Sequence, residues 1–187
     1  DPLPGNCEAA TRALAPYGGR ARFVCKALGR AEGNATFYAD GQQQGSFSMN
    51  HSRPTDSSHT VPVTTLDAEV GDADVFLLKL DLQGSELDAL HGAARLLQEH
   101  RVSWVYTEFA PNLLQDAGYS SMHLFSFLKE HGFVCRNFRQ RSYRPWWCNG
   151  AVNLSSDHTV DACWTDLICG HKRVARMSDN WEEDILS

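Results

Sequence analysis

The sequence predicts an α/β protein on a mostly parallel sheet, and three observations carry that expectation. Five of the six residues from Val75 to Leu80 are apolar, the pattern of a parallel-sheet strand buried on both faces. Directly after it come Asp81, then Gly84 for a sharp turn, then Ser85 with Asp88 three residues on, spaced as a capping box. Leu87, Leu90, Ala94 and Leu97 follow at intervals of three and four, an apolar stripe that predicts a helix over residues 85–100. The result is a strand–acid–turn–helix unit whose carboxylate stands at the carboxyl end of its strand, where open α/β sheets bind ligands.

The remaining elements follow in order. Residues 8–14 read as a helix closed by Pro16 and the Gly18-Gly19 turn, and residues 21–26 as a short strand. Residues 35–39 and 46–50 read as short strands flanking a glycine-rich loop at 41–45, with a polar surface loop at 51–59. Residues 60–65 alternate as a strand does and lead into a short helix at 66–70. The strand at 75–81 and the helix at 85–100 come next, then an apolar-rich strand at 102–109 that Ala110-Pro111 ends. Ser120 or Ser121 caps a helix to residue 131, with Leu124, Phe125, Phe127 and Leu128 on its buried face. A strand at 133–138, a basic and aromatic loop to residue 156, a last strand at 162–169 and a tail from 172 complete a single domain without repeats or linkers.

Composition narrows the function classes. Hydrophobic residues make up 42% and charged residues 21% of the 187, ordinary for a globular domain able to bury a core. Seventeen basic against twenty-three acidic residues give a net charge of −6, which argues against a nucleic-acid-binding surface. No apolar run approaches the ~18 residues a membrane span requires. The six cysteines (Cys7, Cys25, Cys135, Cys148, Cys163 and Cys169) and three glycosylation sequons at Asn34, Asn50 and Asn153 tilt the reading toward a secretory or luminal compartment. Buried thiols acting as small hydrophobes are the other reading of the cysteines. No C-x-x-C and no Cys/His cluster has zinc spacing.

Three ordered segments carry a family resemblance. Val63-Thr64-Thr65-Leu66-Asp67, Leu78-Lys79-Leu80-Asp81-Leu82-Gln83-Gly84-Ser85-Glu86 and Val105-Tyr106-Thr107-Glu108 resemble the FkbM family of S-adenosylmethionine-dependent methyltransferases. The family's pattern is a T-L-D segment, a K-I-D-V-E-G-x-E segment and a strand ending in glutamate. Gln83 departs from it by standing where the family carries an acid. The resemblance spans about residues 1–170 and implies a Rossmann-like class I methyltransferase fold with strand order 3-2-1-4-5-7-6 and an antiparallel last strand. No strand followed by a glycine-rich, cofactor-cradling turn occurs in this sequence. Asp1-Pro2-Leu3-Pro4 resembles the family's E-P-x-P segment at the end of strand two. On that alignment strands one and two are absent, and the expectation is that preceding residues, a second fragment or a partner protein supply them.

The candidate site residues follow. Asp81, at the end of strand four, is expected to contact substrate or the methionine end of the cofactor; its structural alternative is a turn-forming acid. Glu108 ends the neighbouring strand and should face the same crevice, where two carboxylates can share a proton, position a hydroxyl nucleophile or hold a divalent cation. Glu86 joins them as a catalytic candidate, though negative charge in a first helical turn also suits the helix dipole. Asp67 is expected to cap its own short helix. Lys79 leaves the strand on the same face as Asp81. The resemblance implies that Asp1 holds the cofactor ribose. Arg144, Trp146 and Trp147, with Arg139, Arg141 and Tyr143, suit an acidic or sugar-like acceptor, a protein partner, or plain cover for the sheet edge.

Two functions are consistent with these residues. One is methyl transfer from S-adenosylmethionine to a hydroxyl of a sugar, glycan or small metabolite. The other is a degenerate, non-catalytic methyltransferase-like domain serving a larger assembly, since a fold does not guarantee an activity.

Overall fold

The apolar stripe of Leu87, Leu90 and Leu97 lies in the main core with each side chain at most 1% exposed, together with Leu80, Leu96, Val105 and Phe109. Burying such a side chain contributes about 1.5–3 kcal/mol, so this stripe holds the helices on their sheet. The computed structural model describes residues 1–39, 47–48, 57–137 and 165–173. The elements are α1 (Pro4–Leu14), a 3-10 turn (Ala15–Arg20), β1 (Ala27–Leu28), β2 (Gly33–Ala39), β3 (Phe47–Ser48), β4 (Ser57–Thr64), α2 (Leu66–Val70), β5 (Val75–Leu80), α3 (Glu86–His91), α4 (Ala94–Gln98), β6 (Val102–Phe109), α5 (Pro111–Asp116), α6 (Ser121–Glu130), β7 (Phe133–Asn137) and β8 (Thr165–His171).

They form two mixed sheets, ordered β1-β4-β2-β3 and β5-β6-β8-β7. Among the described residues parallel pairing is confined to β1 with β4 and β5 with β6, so neither sheet is mostly parallel as expected. β8 runs antiparallel to both β6 and β7, as the resemblance implied for the last strand. Cys135 and Cys169 face one another in the β7–β8 register and are joined by a disulfide.

Several boundaries moved for identifiable reasons. α1 starts at Pro4, where a missing N–H costs nothing and the fixed φ suits a first helical turn. Residues 21–26 are not a strand. Arg22 and Lys26 are drawn to Glu69, by a 2.7 Å bond to its carbonyl and a 3.0 Å ion pair respectively, and the ladder with β4 begins only at Ala27. β4 starts at Ser57, inside the expected loop, because it pairs along β2 as far as Ala39.

The single helix expected over residues 85–100 is two. A Cβ on Gly92 would sit 2.2 Å from the Gly29 carbonyl, and the Gly92 carbonyl itself accepts from the Asp67 amide at 2.9 Å. The helix therefore opens at residues 92–93 and restarts as α4. Asp67 is the cap of that restart, accepting from the amides of Arg95 (2.9 Å) and Leu96 (3.0 Å), while Thr65 caps α2 in its place. Ser85 and Asp88 form no capping box either: Asp88 accepts from the Arg30 guanidinium at 2.8 Å and the Tyr119 hydroxyl at 2.6 Å.

β5 is the largest departure. It was expected to be buried on both faces, yet Phe76 is 77% and Leu77 51% exposed. The reason is its place in the sheet: β5 pairs with β6 on one side and ends the described strand order on the other.

Candidate active site at the ends of β5 and β6

β5 and β6 run parallel with Leu80 opposite Thr107, so Asp81 and Glu108 emerge next to each other at the same end of the sheet. The chain leaving β5 must then turn sharply toward α3. Gln83 (φ 52°) and Gly84 (φ 99°) both take positive φ to do so. This turn wraps around the Glu86 carboxylate, which accepts from the Leu82 amide at 2.8 Å and the Gly84 amide at 3.0 Å. Glu86 is 2% exposed, and burial pushes its carboxyl above the ordinary range against the pull of those amides.

The turn delivers Gln83 between the two strand-end acids. Its Nε2 donates to Glu108 Oε2 at 3.0 Å and to Asp81 Oδ1 at 3.3 Å. Asp81 also pairs with Lys79 Nζ at 3.0 Å, so the shared face expected for these two residues brings them into contact. Asp81 is half-exposed. Glu108 is more enclosed, and its pKa is raised to about 7, first by burial and then by the negative charges of Asp81, Glu86 and Asp166, with Lys79 opposing. A carboxyl that changes charge near neutrality is suited to moving a proton.

Asp166 is the site residue that sequence reasoning missed. It stands directly opposite Glu108 in the β6–β8 register. It is the sole acid among residues 162–169, which was the available signal. The Asp1 carboxylate keeps its hydrogen bonds within its own end of the chain, accepting from the Leu3 amide at 2.9 Å and Asn6 Nδ2 at 2.8 Å. Arg144, Trp146 and Trp147 lie outside the described residues, as do Cys148, Cys163, Asn50 and Asn153. Among the described residues no group of three or more His, Cys, Asp or Glu side chains is placed to hold a metal ion, and no helix is long and apolar enough to cross a membrane.

Adjacent acids at the carboxyl ends of two parallel strands, each leading into a helix, stand where open α/β sheets in general bind their ligands. The family model of the FkbM methyltransferase domain matches residues 1–135, and the chain belongs to that family: it is a methyltransferase domain. The matched span includes Asp1, Asp81, Glu86 and Glu108 and stops short of Asp166. No curated protein matches the chain, and no solved structure does.

Proposed function

We propose that the protein transfers a methyl group from S-adenosylmethionine to a hydroxyl oxygen of a sugar, glycan or small metabolite. The observation that carries this reading is Glu108, a half-enclosed carboxyl with a pKa of about 7 beside an open Asp81. The donor set suits such a cofactor. Asp81, Glu86 and Asp166 act on Glu108 as negative charges and Lys79 opposes them, so this end of the sheet is electronegative, and a sulfonium carrying an ammonium is cationic.

When bound, S-adenosylmethionine supplies an electrophilic methyl group, and the protein's task is to position the acceptor and exclude water. Glu108 accepts the proton of the acceptor hydroxyl. Asp81 orients that hydroxyl or holds the methionine end of the cofactor, and Gln83 fixes the spacing of the two carboxylates. Glu86 acts as a positioning residue, its oxygens taken up by the turn that delivers Gln83. Asp1 holds the ribose, and Arg144, Trp146 and Trp147 clamp the acceptor; both assignments rest on the resemblance or on residue chemistry.

The order β5-β6-β8-β7 supports reading this sheet as the 4-5-7-6 half of a class I methyltransferase sheet. The exposed Phe76 and Leu77 on β5 support completion of that sheet by further strands, and equally favour the second reading, a domain docked against a partner without catalysis. The Cys135–Cys169 disulfide supports a secretory or luminal setting, and Asn34 is exposed as a glycosylation acceptor must be.

Calorimetric titration with S-adenosylhomocysteine separates the two readings. Saturable heat, weakened in Asp81→Asn, is the expected result. No heat at millimolar ligand overturns the enzyme reading and leaves the docking domain.

A further inference from the structure

α1 and the 3-10 turn after it contain no buried residue. The small core beneath this end of the chain consists of Leu3, Ala27 and Val61 with Val63 packed alongside. So little buried apolar area leaves the segment weakly fastened, the circumstance in which small folds use covalent staples.

Two cysteines meet at this place. Cys7 stands in the first turns of α1 and is half-buried; Cys25 lies just before β1 and is exposed. Both side chains line one open pocket, with Pro2 and Pro4 beside them. The Cys7 thiol donates to the Asp1 carbonyl at 3.4 Å, and the Asp1 ammonium reaches the carbonyl of Val24, the neighbour of Cys25, at 3.5 Å. Burial first, and then the nearness of Cys25, push the Cys7 thiol above its ordinary range. The two cysteines thus share one pocket across an 18-residue separation in a chain that already carries one disulfide.

We propose that Cys7 and Cys25 form a second disulfide, which staples α1 to the segment entering β1 and fixes the residues around Asp1. The oxidant is a small-molecule disulfide of the glutathione class. The exposed Cys25 thiolate attacks one sulfur of that disulfide and expels a thiolate, giving a mixed disulfide. The Cys7 thiolate then attacks the Cys25 sulfur and expels the second thiolate. One protein disulfide and two small thiols result, so electrons and protons balance.

The test is peptide mapping of the full chain after incubation with oxidised glutathione and alkylation of remaining thiols. A peptide joining Cys7 to Cys25 is expected. Oxidised wild-type protein should also melt roughly 6–12 °C above oxidised Cys25→Ser, as expected for closing a loop of this length. Either cysteine recovered alkylated, kept as a glutathione adduct, or joined to a different cysteine overturns the proposal. Cys7→Ala provides the same comparison from the other side, with the same expected loss of thermal stability.

Discussion

Gln83 donates its side-chain amide to the Glu108 carboxylate at 3.0 Å, from a backbone position with φ of 52°. The same nitrogen reaches Asp81 at 3.3 Å, so an uncharged donor bridges the two acids. Hydrogen bonding to the ionised form lowers a carboxyl pKa, and a neighbouring negative charge raises it. Gln83 therefore places a neutral donor beside Glu108, where an acid in its place would add a further negative charge.

A rate profile should show this directly. With Glu108 as base, methyl transfer rises with pH through about 7, the value at which this carboxyl ionises. Gln83→Glu replaces the donor by a charge, and the rising limb should move to higher pH by about one unit. A profile that is flat between pH 6 and 8 in both proteins would remove Glu108 from proton transfer.

Stability should carry the same signature with a defined sign. The folded-state pKa of Glu108 is raised from 4.5 to about 7, so the folded state binds this proton more tightly than the unfolded chain. Its contribution is fully present below pH 4.5 and is lost as pH rises through about 7. Glu86 is shifted in the same direction. His91 and His171 are lowered by burial and act oppositely, withdrawing stability as pH falls. The comparison is therefore between proteins: the melting temperature at pH 5 relative to pH 8 should be lower in Glu108→Gln than in wild type. An unchanged difference contradicts the raised pKa.

Glu86 is the residue whose loss should cost the fold most at the site. Removing it strands the Leu82 and Gly84 amides in a buried turn. Two lost hydrogen bonds, with one buried and one part-buried donor left unpaired, amount to about 2–5 kcal/mol. Glu86→Ala should lose that much in a denaturant titration, and Glu86→Gln, which keeps an acceptor in place, appreciably less. Equal losses would mean that the side chain contributes by packing alone.

The sequence made the core and one strand legible because both are written as periodicity. Of the stripe Leu87, Leu90, Ala94 and Leu97 the three leucines are buried as the spacing requires and Ala94 is half-buried, and β6 and α2 have the bounds their patterns predict. What escaped depends on contacts between distant segments. The break at Gly92 is set by the Gly29 carbonyl, the capping role of Asp67 by the restart of α4, and the importance of Asp166 by its place opposite Glu108. An apolar run like Val75–Leu80 states that a strand forms, but its exposure follows from which edge is paired. Glu86 reads in sequence as a residue suited to a helix dipole; only the fold shows the turn wrapped around it.

Two glycines offer a way to separate stability from activity. At Gly92 the backbone is ordinary, with φ of −72°, and the obstacle to a side chain is the Gly29 carbonyl 2.2 Å from where a Cβ would stand. Gly92→Ala should cost about 1–3 kcal/mol of stability through overpacking, yet keep kcat in the folded fraction, because the contact lies away from the strand-end acids. At Gly84 a Cβ would meet the Leu113 carbonyl oxygen at 2.5 Å, and φ of 99° is strained for any side chain. Backbone strain and overpacking together amount to about 2–5 kcal/mol. The relief open to the chain is to shift the turn that carries Gln83 and the Glu86 contacts. Gly84→Ala should therefore lower both the denaturation midpoint and kcat of whatever remains folded. A Gly84→Ala protein that is destabilised but turns over normally would show that the geometry of this turn is not needed for the chemistry.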